Sequence, residues 1–313
     1  MRGGIIAKAV TYLRQAGTKA VARSANCEAV GFLETALALL AELPETTATL
    51  SDALDIRITL GIALIALQGP GAKEVDASYT HALDLVDRLR DAARRFPVLW
   101  GLWFVAYQRG NYPAAQERAE RLLADAQGAD DTGRLLEAHH ALWATSTAMG
   151  RPIPGAAHAE RGLALYDRER HASHALLYAG HDPGVCARYQ LAVNQWLLGY
   201  SERAVVTMRD ALRLAAELNH PLTTINTLSF AAWLHHQRGE HDVAAQINQQ
   251  VRDIGSTHGF VAWLDLALVL SYATGREPVS AQTLVELEQQ LIAHRRGSAW
   301  RHAISSVSSR SYA

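Results

Sequence analysis

The sequence is poor in cysteine, carries almost no net charge and contains no long apolar run. Its two cysteines, Cys27 and Cys186, lie far apart in apolar helical patterns, so we expect both to be reduced and buried. A net charge of −1 predicts neither nucleic acid nor an anionic membrane as a partner. The longest nearly unbroken apolar run, residues 98–107, is well short of the about 20 residues that span a bilayer. With no secretory signal pattern visible, the sequence predicts a cytoplasmic protein.

The motifs of common catalytic sites are also missing. The phosphate-binding pattern G-x-x-x-x-G-K-[ST] is absent, and the nearest text, GPGAKE at 69–74, lacks both the spacing and the Ser or Thr. The nucleophile pattern G-x-S-x-G is absent as well. We therefore predict no catalytic residue, no cofactor and no enzyme activity for this chain.

The sequence contains 14 histidines, which raises the question of a metal site. In the adjacent pairs His139–His140 and His235–His236, neighbouring helical positions point about 100° apart, so neither pair chelates from one helix face. Three further histidines flank one loop, where they can in principle meet: His171, His174 and His181. Because no cysteine or acidic cluster completes a set with zinc spacing, we predict no metal.

Residue types and their spacing predict an all-α chain. Ala, Leu, Glu, Arg and Gln are strong helix formers, and no stretch shows the sustained alternation expected of a strand. In residues 202–218, apolar side chains recur at intervals of three and four and share one helix face. Similar segments, separated by short breaks, fill the chain. We predict a right-handed solenoid of helical hairpins with about 12–15 helices.

The breaks share a glycine that is followed five positions later by alanine. Glycine ends a helix because it accepts the left-handed backbone, and the small alanine lets the next helix pack closely. The pairs with this spacing are Gly110 and Ala115, Gly199 and Ala204, and Gly239 and Ala244. Gly150 is a fourth case, in which RPIPGAA adds two residues and gives Ala157 the equivalent role. The turn resembles that of tetratricopeptide (TPR) repeats, although these turns lie more than the usual ~34 residues apart.

The same spacing occurs at the start of the chain, in Gly4 and Ala9. It predicts that the chain begins at a turn inside a repeat, leaving an uncovered apolar face through which the protein can self-associate. We predict one TPR-like solenoid over residues 1–297. Residues 298–313 are predicted to be a frayed Ser-rich tail, with a disrupted reading frame as the alternative.

Three longer stretches carry a resemblance beyond a generic repeat: residues 14–40, 178–205 and 218–240. They resemble the C-terminal TPR region of large bacterial signalling ATPases, in which a class III adenylate or guanylate cyclase domain and a P-loop ATPase module of the STAND or AAA type precede the repeats. The run from GHDPG to WLLGY is the most specific part. Because the nucleotide chemistry of that family lies upstream of the repeats, the resemblance implies a sensing or protein-interaction arm and assigns no catalytic residue here.

The GHDPG motif at 180–184 contains a His–Asp pair that can act as a base and its orienter. A helix start explains the same residues better. Asp182 is a good N-cap, and Pro183 suits the first helical position. The text NHP at 219–221 repeats the arrangement before another helical segment.

The first helices of TPR-like hairpins line a concave face, and aromatic residues at that face often anchor partners. We predict a partner-binding groove for a protein, a peptide or another domain of a parent chain. Its residues, counted back from the turn glycines, are Trp100, Phe104, Tyr107, Tyr189, Trp196, Asn226, Ser229, Trp233, His236 and Gln237. The alternative is that these rings only pack between neighbouring repeats.

The function predicted from these features is a non-catalytic, regulatory interaction module, the C-terminal arm of a cyclase- or ATPase-type signalling protein. Three alternatives stay open. The chain can be a standalone TPR adaptor that binds a peptide or a partner helix, the arm of an ATPase-type transcriptional regulator, or an enzyme fragment with unrecognised chemistry. A cyclase or P-loop domain encoded in frame upstream would separate the first reading from the adaptor.

Overall fold

The computed structural model describes residues 2–69, 71–129, 131–178 and 180–273, and all regular structure in these ranges is helical. The α-helices are α1 (Arg2–Ala22), α2 (Asn26–Leu40), α3 (Thr47–Gln68), α4 (Lys73–Leu89), α5 (Ala92–Gln108), α6 (Tyr112–Gln127), α7 (Thr132–Ala148), α8 (Pro152–Leu165), α9 (Pro183–Leu197), α10 (Ser201–Leu218), α11 (Pro221–Gln237), α12 (His241–His258) and α13 (Val261–Ala273). A 3-10 helix, Ala172–Leu176, lies between α8 and α9. The prediction of an all-α hairpin solenoid is confirmed. The rest of the predicted solenoid, 274–297, and the tail, 298–313, lie outside the described residues.

Consecutive helices pack against each other as hairpins, α1 with α2, α3 with α4, and so on to α11 with α12. The first helices of successive hairpins also pack on one another, from α5 through α7 and α9 to α11. The odd-numbered helices thus form an inner layer and the even-numbered helices an outer layer. None of the described helices combines the length and the apolar character needed to span a bilayer.

Burial separates the two layers. The inner helix α9 is buried at nearly every position from Pro183 to Gln195. The outer helix α10 fully buries only one stripe, at Ala204, Met208, Ala211 and Ala215, and its other positions are partly or fully exposed. An outer helix therefore needs one apolar face, whereas an inner helix has neighbours on all sides and must bury its polar residues too.

The predicted turn glycines lie at the ends of first helices and adopt the left-handed backbone. Their φ angles are 69° at Gly110, 70° at Gly150, 87° at Gly199 and 78° at Gly239. The alanines five positions later, Ala115, Ala204 and Ala244, are fully buried where the second helix of each hairpin meets the inner layer. Small side chains at these positions set how closely the two layers approach.

The turn at Gly150 differs from the prediction. Helix α8 begins at Pro152, two residues after its turn glycine, as α6, α10 and α12 do. Pro152 and Pro154 lie within the first turn, where backbone N–H groups have no helical partner, so the prolines add no extra loop. Gly155, and not Ala157, therefore holds the buried position, and Ala157 is only partly buried.

The start of the chain also differs from the prediction. Gly4 lies inside α1, which pairs with α2 as a hairpin, so Gly4 and Ala9 do not form a turn. One glycine and one alanine five residues apart are common within helices, and only flanking helical segments on both sides make the spacing informative. The turn predicted at Gly4 is therefore wrong, whereas self-association through this end of the protein stays a prediction.

The inner layer curves until distant hairpins touch. Ala66 of α3 clusters with Leu222 and Ile225 of α11 and with Trp263 of α13. Gly180 lies so close between two of these helices that a Cβ there would be 2.8 Å from Leu222 Cδ2 and 3.3 Å from Ile62 Cγ2 of α3. Part of the inner surface is consequently packed interior.

Candidate functional site

The segment between α8 and α9, described for residues 166–178 and 180–182, is the longest connection between described helices, and we call it the insert. It lies against the N-terminal halves of the inner helices. Tyr178 of the insert packs edge-on against Phe96 (6.2 Å between ring centroids) and Trp100 (5.4 Å) of α5. Because it covers the inner helices, the insert turns this half of the inner face into a buried site.

Glu137 of α7 is the charged centre of this site and has no exposed surface. Its two carboxylate oxygens accept hydrogen bonds from His140 Nδ1 (2.9 Å) and from His174 Nδ1 (2.8 Å) of the insert. Burial would raise the pKa of Glu137, but these two hydrogen bonds outweigh it and lower the pKa below its ordinary value. Glu137 therefore remains ionised in the interior because two imidazoles surround it.

Cys186 of α9 lies on the other side of the same histidine. Its Sγ is 3.2 Å from His140 Nε2, and the imidazole of His181 also borders the sulfur. Burial opposes ionisation of the thiol, but His140 and His181 together lower the pKa of Cys186 below its ordinary value. Burial likewise opposes charge on His140, but Cys186 and Glu137 raise its pKa above its ordinary value. The arrangement favours a thiolate beside an imidazolium.

Aromatic rings enclose the cluster. The His140 ring stacks on Trp143 (4.7 Å between centroids) and meets Trp100 edge-on (5.2 Å) and His181 edge-on (5.1 Å). Trp100 Nε1 donates to the backbone oxygen of Glu137 at 3.0 Å. These contacts fix the ring of His140 and exclude water, which strengthens every electrostatic interaction in the site.

Asp182 follows His181 directly and begins α9, the helix that carries Cys186. It is the N-cap of α9, with Oδ1 accepting from the N–H of Val185 (2.8 Å), and Pro183 is the first helical residue. Burial raises the pKa of Asp182, and its Oδ2 accepts from the hydroxyl of Tyr166 at 3.0 Å. Both carboxylate oxygens of Asp182 therefore already accept hydrogen bonds, one of them as the cap of α9.

The same helix start contains the signal that the sequence reasoning missed. His181 precedes the N-cap, and Cys186 is the fourth residue of α9. These are the two positions that pack together in a hydrophobic staple. A His and a Cys at staple positions therefore predict contact between imidazole and sulfur. The histidine pair His139–His140 diverges as predicted from helix geometry, since His139 instead faces His158 of α8, 3.0 Å between the Nδ1 atoms.

The two cysteines differ in exposure. Both are free thiols, but only Cys186 is buried, whereas Cys27 is exposed. The prediction that both are buried is therefore wrong for Cys27. It lies in the first turn of α2, off the stripe at Asn26, Ala29 and Leu33 that packs inward.

The predicted groove residues fall into two groups. Five are buried: Trp100, Phe104, Tyr107, Tyr189 and Ser229. Asn226 is partly buried, and its Oδ1 accepts a hydrogen bond from Trp263 Nε1 at 3.2 Å, so it is engaged within the protein. Four near the C-terminal ends of α9 and α11 are only partly buried: Trp196, Trp233, His236 and Gln237. The aromatic surface that stays open to a partner therefore comes from this second group.

The helical architecture is similar to that of several proteins of known structure. A Rap protein in complex with Competence and Sporulation Factor superposes with a TM-score of 0.62 at 11% identity, covering 92% of this chain and 88% of that one. The apo form of RapI gives a TM-score of 0.54 at 9% identity, covering 86% and 99% of the two chains. Aspartyl phosphate phosphatase F from Bacillus subtilis gives 0.54 at 11% identity, covering 91% and 84%. This chain has a TPR-like helical repeat fold. Identities this low show the fold alone.

Sequence comparison gives a relative of much greater length. An uncharacterized protein of Rhizobium meliloti (strain 1021) is 25% identical over 259 residues, which are 82% of this chain and 25% of that protein. The chain thus spans about a quarter of the length of the curated relative it matches. No family model matches the chain.

Proposed function

We propose that this chain acts as a non-catalytic regulatory arm of a larger bacterial signalling protein whose other domains act on nucleotides. The main support is the greater length of the Rhizobium meliloti relative, because the region that matches this chain is only 25% of that protein. The resemblance of residues 178–205 to the repeats of cyclase and ATPase signalling proteins supports nucleotide chemistry in the remainder. TPR-like hairpin solenoids present extended surfaces to protein partners, which suits a regulatory arm.

The surface proposed for contact with the other domains is the C-terminal end of the inner helices. Trp196 and Trp233 are partly exposed there on neighbouring helices, α9 and α11, beside His236 and Gln237. Indole rings provide large contact areas at low entropic cost. A domain tethered in the same polypeptide has a high effective concentration, so a small surface is enough for regulated contact.

A second exposed apolar surface supports a neighbouring domain. Ile5 and Tyr12 lie seven residues apart on α1, and their exposed fractions are 70% and 72%. This spacing places both on one helix face. Such a face suits packing against another part of a longer protein.

The first test is the mass of the native product, by immunoblotting source-cell lysate with an antibody raised against residues 2–273. We expect a band much larger than the 34.1 kDa of this chain. A single band near 34 kDa would contradict the proposed arm and favour a standalone adaptor.

The second test measures cyclase and nucleotide-hydrolysis activity in the full-length product. We expect the double variant Trp196→Ala/Trp233→Ala to change one of these activities by about 5-fold or more, the range of typical coupling between sites. The control Val206→Ala changes an exposed apolar side chain of the outer helix α10 and should leave the activity unchanged. Equal activities in all three proteins would rule out this surface as the regulatory contact.

A further inference from the structure

We propose that His140, His181 and Cys186 bind a zinc-class divalent cation between α7, the insert and α9. The inference does not depend on the proposed function, since the site lies within this chain and can be tested on it. It starts from the donor atoms. The two imidazole nitrogens and the sulfur lie within 4.8 Å of one another, and all three residues are buried.

These distances suit a small cation. Zinc binds sulfur at about 2.3 Å and imidazole nitrogen at about 2.0–2.1 Å, so donors in a tetrahedral site are about 3.3–3.8 Å apart. Cys186 Sγ and His140 Nε2 are already 3.2 Å apart. Small side-chain shifts bring three donors to bonding distance. Zinc accepts both imidazole nitrogen and thiolate sulfur as ligands, and three protein ligands are enough to hold it.

The surroundings of His140 match those of a metal ligand. A ligating histidine usually donates its second ring N–H to a carboxylate, which fixes the tautomer and orients the ring. Glu137 accepts from His140 Nδ1 at 2.9 Å, so Nε2 faces Cys186. The stacked ring of Trp143 holds the imidazole in this orientation. Three donors and one supporting carboxylate therefore converge from elements far apart in the chain.

His181 distinguishes a metal site from a nucleophile. Glu137, His140 and Cys186 alone form a chain of contacts like that of a thiol hydrolase, in which one histidine activates the sulfur. That chemistry needs only one imidazole and open space beside the sulfur. In this protein, the second imidazole borders the sulfur, and Cys186 is 2% exposed. A metal site explains why His181 lies beside the sulfur, because His181 then serves as the third ligand of the cation.

The test uses the chain after treatment with a chelator, with Co²⁺ as a spectroscopic probe and Zn²⁺ as a competitor. We expect one Co²⁺ per chain, a sulfur-to-cobalt charge-transfer band and the visible bands of a tetrahedral site, all lost when Zn²⁺ is added. Cys186→Ala should abolish the charge-transfer band, whereas Cys27→Ala, which removes the exposed thiol, should retain it. A wild-type chain without the band, or a Cys186→Ala chain with it, would overturn the proposal.

A second pair of variants tests the histidine ligand and guards against misfolding. His181→Asn should weaken Co²⁺ binding by more than about tenfold, whereas His171→Asn, in the same insert, should not. Zn²⁺ should raise the thermal midpoint of the wild type and of Cys27→Ala, because it binds only the folded state, but not that of Cys186→Ala. Equal midpoint shifts in all three would place the metal elsewhere. Alkylation of Cys186 by iodoacetamide that is fast and unaffected by Zn²⁺ would also overturn the proposal and favour a reactive thiol.

Discussion

The N-terminal and C-terminal halves of the inner helices have different surroundings. The N-terminal halves of α7 and α9 carry Glu137, His140 and Cys186, which the insert covers. The C-terminal ends of α9 and α11 carry Trp196 and Trp233, which stay partly exposed. The repeat pattern is the same in both halves, so the difference comes from the insert. The insert converts part of the inner face into interior, where the charge of Glu137 is held by hydrogen bonds.

Removing the buried carboxylate of Glu137 should change the free energy of unfolding more than any other substitution considered below. We expect Glu137→Ala to lower the free energy of unfolding by about 3–5 kcal/mol, because it leaves two buried imidazoles without their acceptor. Urea unfolding at pH 7 in metal-free buffer measures the change. Glu160→Ala, on the exposed face of α8, should stay within about 0.5 kcal/mol of wild type. A loss below about 1 kcal/mol for Glu137→Ala would show that the cluster contributes little to stability.

Alanine substitutions at two glycines test how tightly the C-terminal halves of the inner helices are packed. A Cβ at Gly155 would lie 2.8 Å from Asn194 Oδ1 and 3.0 Å from Thr147 Oγ1, which are held together by a hydrogen bond of 2.8 Å. We expect Gly155→Ala to destabilise the protein by about 1–2 kcal/mol, since displacing these side chains outweighs the better helix propensity of alanine.

The matched control for Gly155 is Gly31 of α2, where an added Cβ meets nothing within 4 Å. Gly31→Ala should stabilise the protein by about 0.5–1 kcal/mol through propensity alone. The two substitutions therefore have opposite expected signs in the same urea experiment. Stabilisation by both would mean that the position equivalent to Ala115 tolerates alanine in every hairpin.

Fluorescence quenching sharpens the contrast between the two groups of indoles. Acrylamide should quench Trp196 and Trp233 but not Trp100, Trp103 or Trp143, which are fully buried. The double variant Trp196→Phe/Trp233→Phe should lose most of the quenchable fraction, and Trp103→Phe should keep it. All proteins should carry Trp300→Phe, because residue 300 lies outside the described residues. An unchanged quenchable fraction in the double variant would mean that both indoles are shielded and that the groove has no aromatic anchor.

The smallest expected effect is a pH dependence at the start of α11. His220 is the N-cap, and burial, followed by the nearby His181, lowers its pKa to about 4. The unfolded chain, with a pKa near ~6.5, binds this proton first, so stability falls as the pH decreases from about 6.5 towards 4. His220→Asn keeps a capping side chain and should lose less stability between pH 7 and 5.

The control for His220 is His81→Asn, on the exposed face of α4, which should show the wild-type pH dependence. Urea midpoints at several pH values give the comparison. If His220→Asn and the wild type lose stability equally, protonation of His220 does not oppose folding.

The sequence predicted the features that depend on local chemistry. The turn glycines, the capping Asp182 and the buried Ala115 follow from backbone conformation and from helix packing between neighbours. The buried cluster depends on contacts across many residues, because Glu137 and His174 meet only after the insert folds onto α7. The spacing of apolar residues along the sequence does not predict which distant residues meet in the fold. The staple positions of His181 and Cys186 were the one local clue, and the prediction about Ala157 failed because prolines in a first helical turn look like a loop.

The contacts of α3 with α11 and α13 join hairpins that are far apart in the chain. In an open solenoid, each repeat depends only on its neighbours, so the array can unfold from one end, one repeat after another. Here the loss of α13 also removes contacts from α3, so the second hairpin and the last described helix are coupled. The chain should therefore unfold as one cooperative unit, and it should fold more slowly than an open array of the same length, because these contacts require the closure of very long loops.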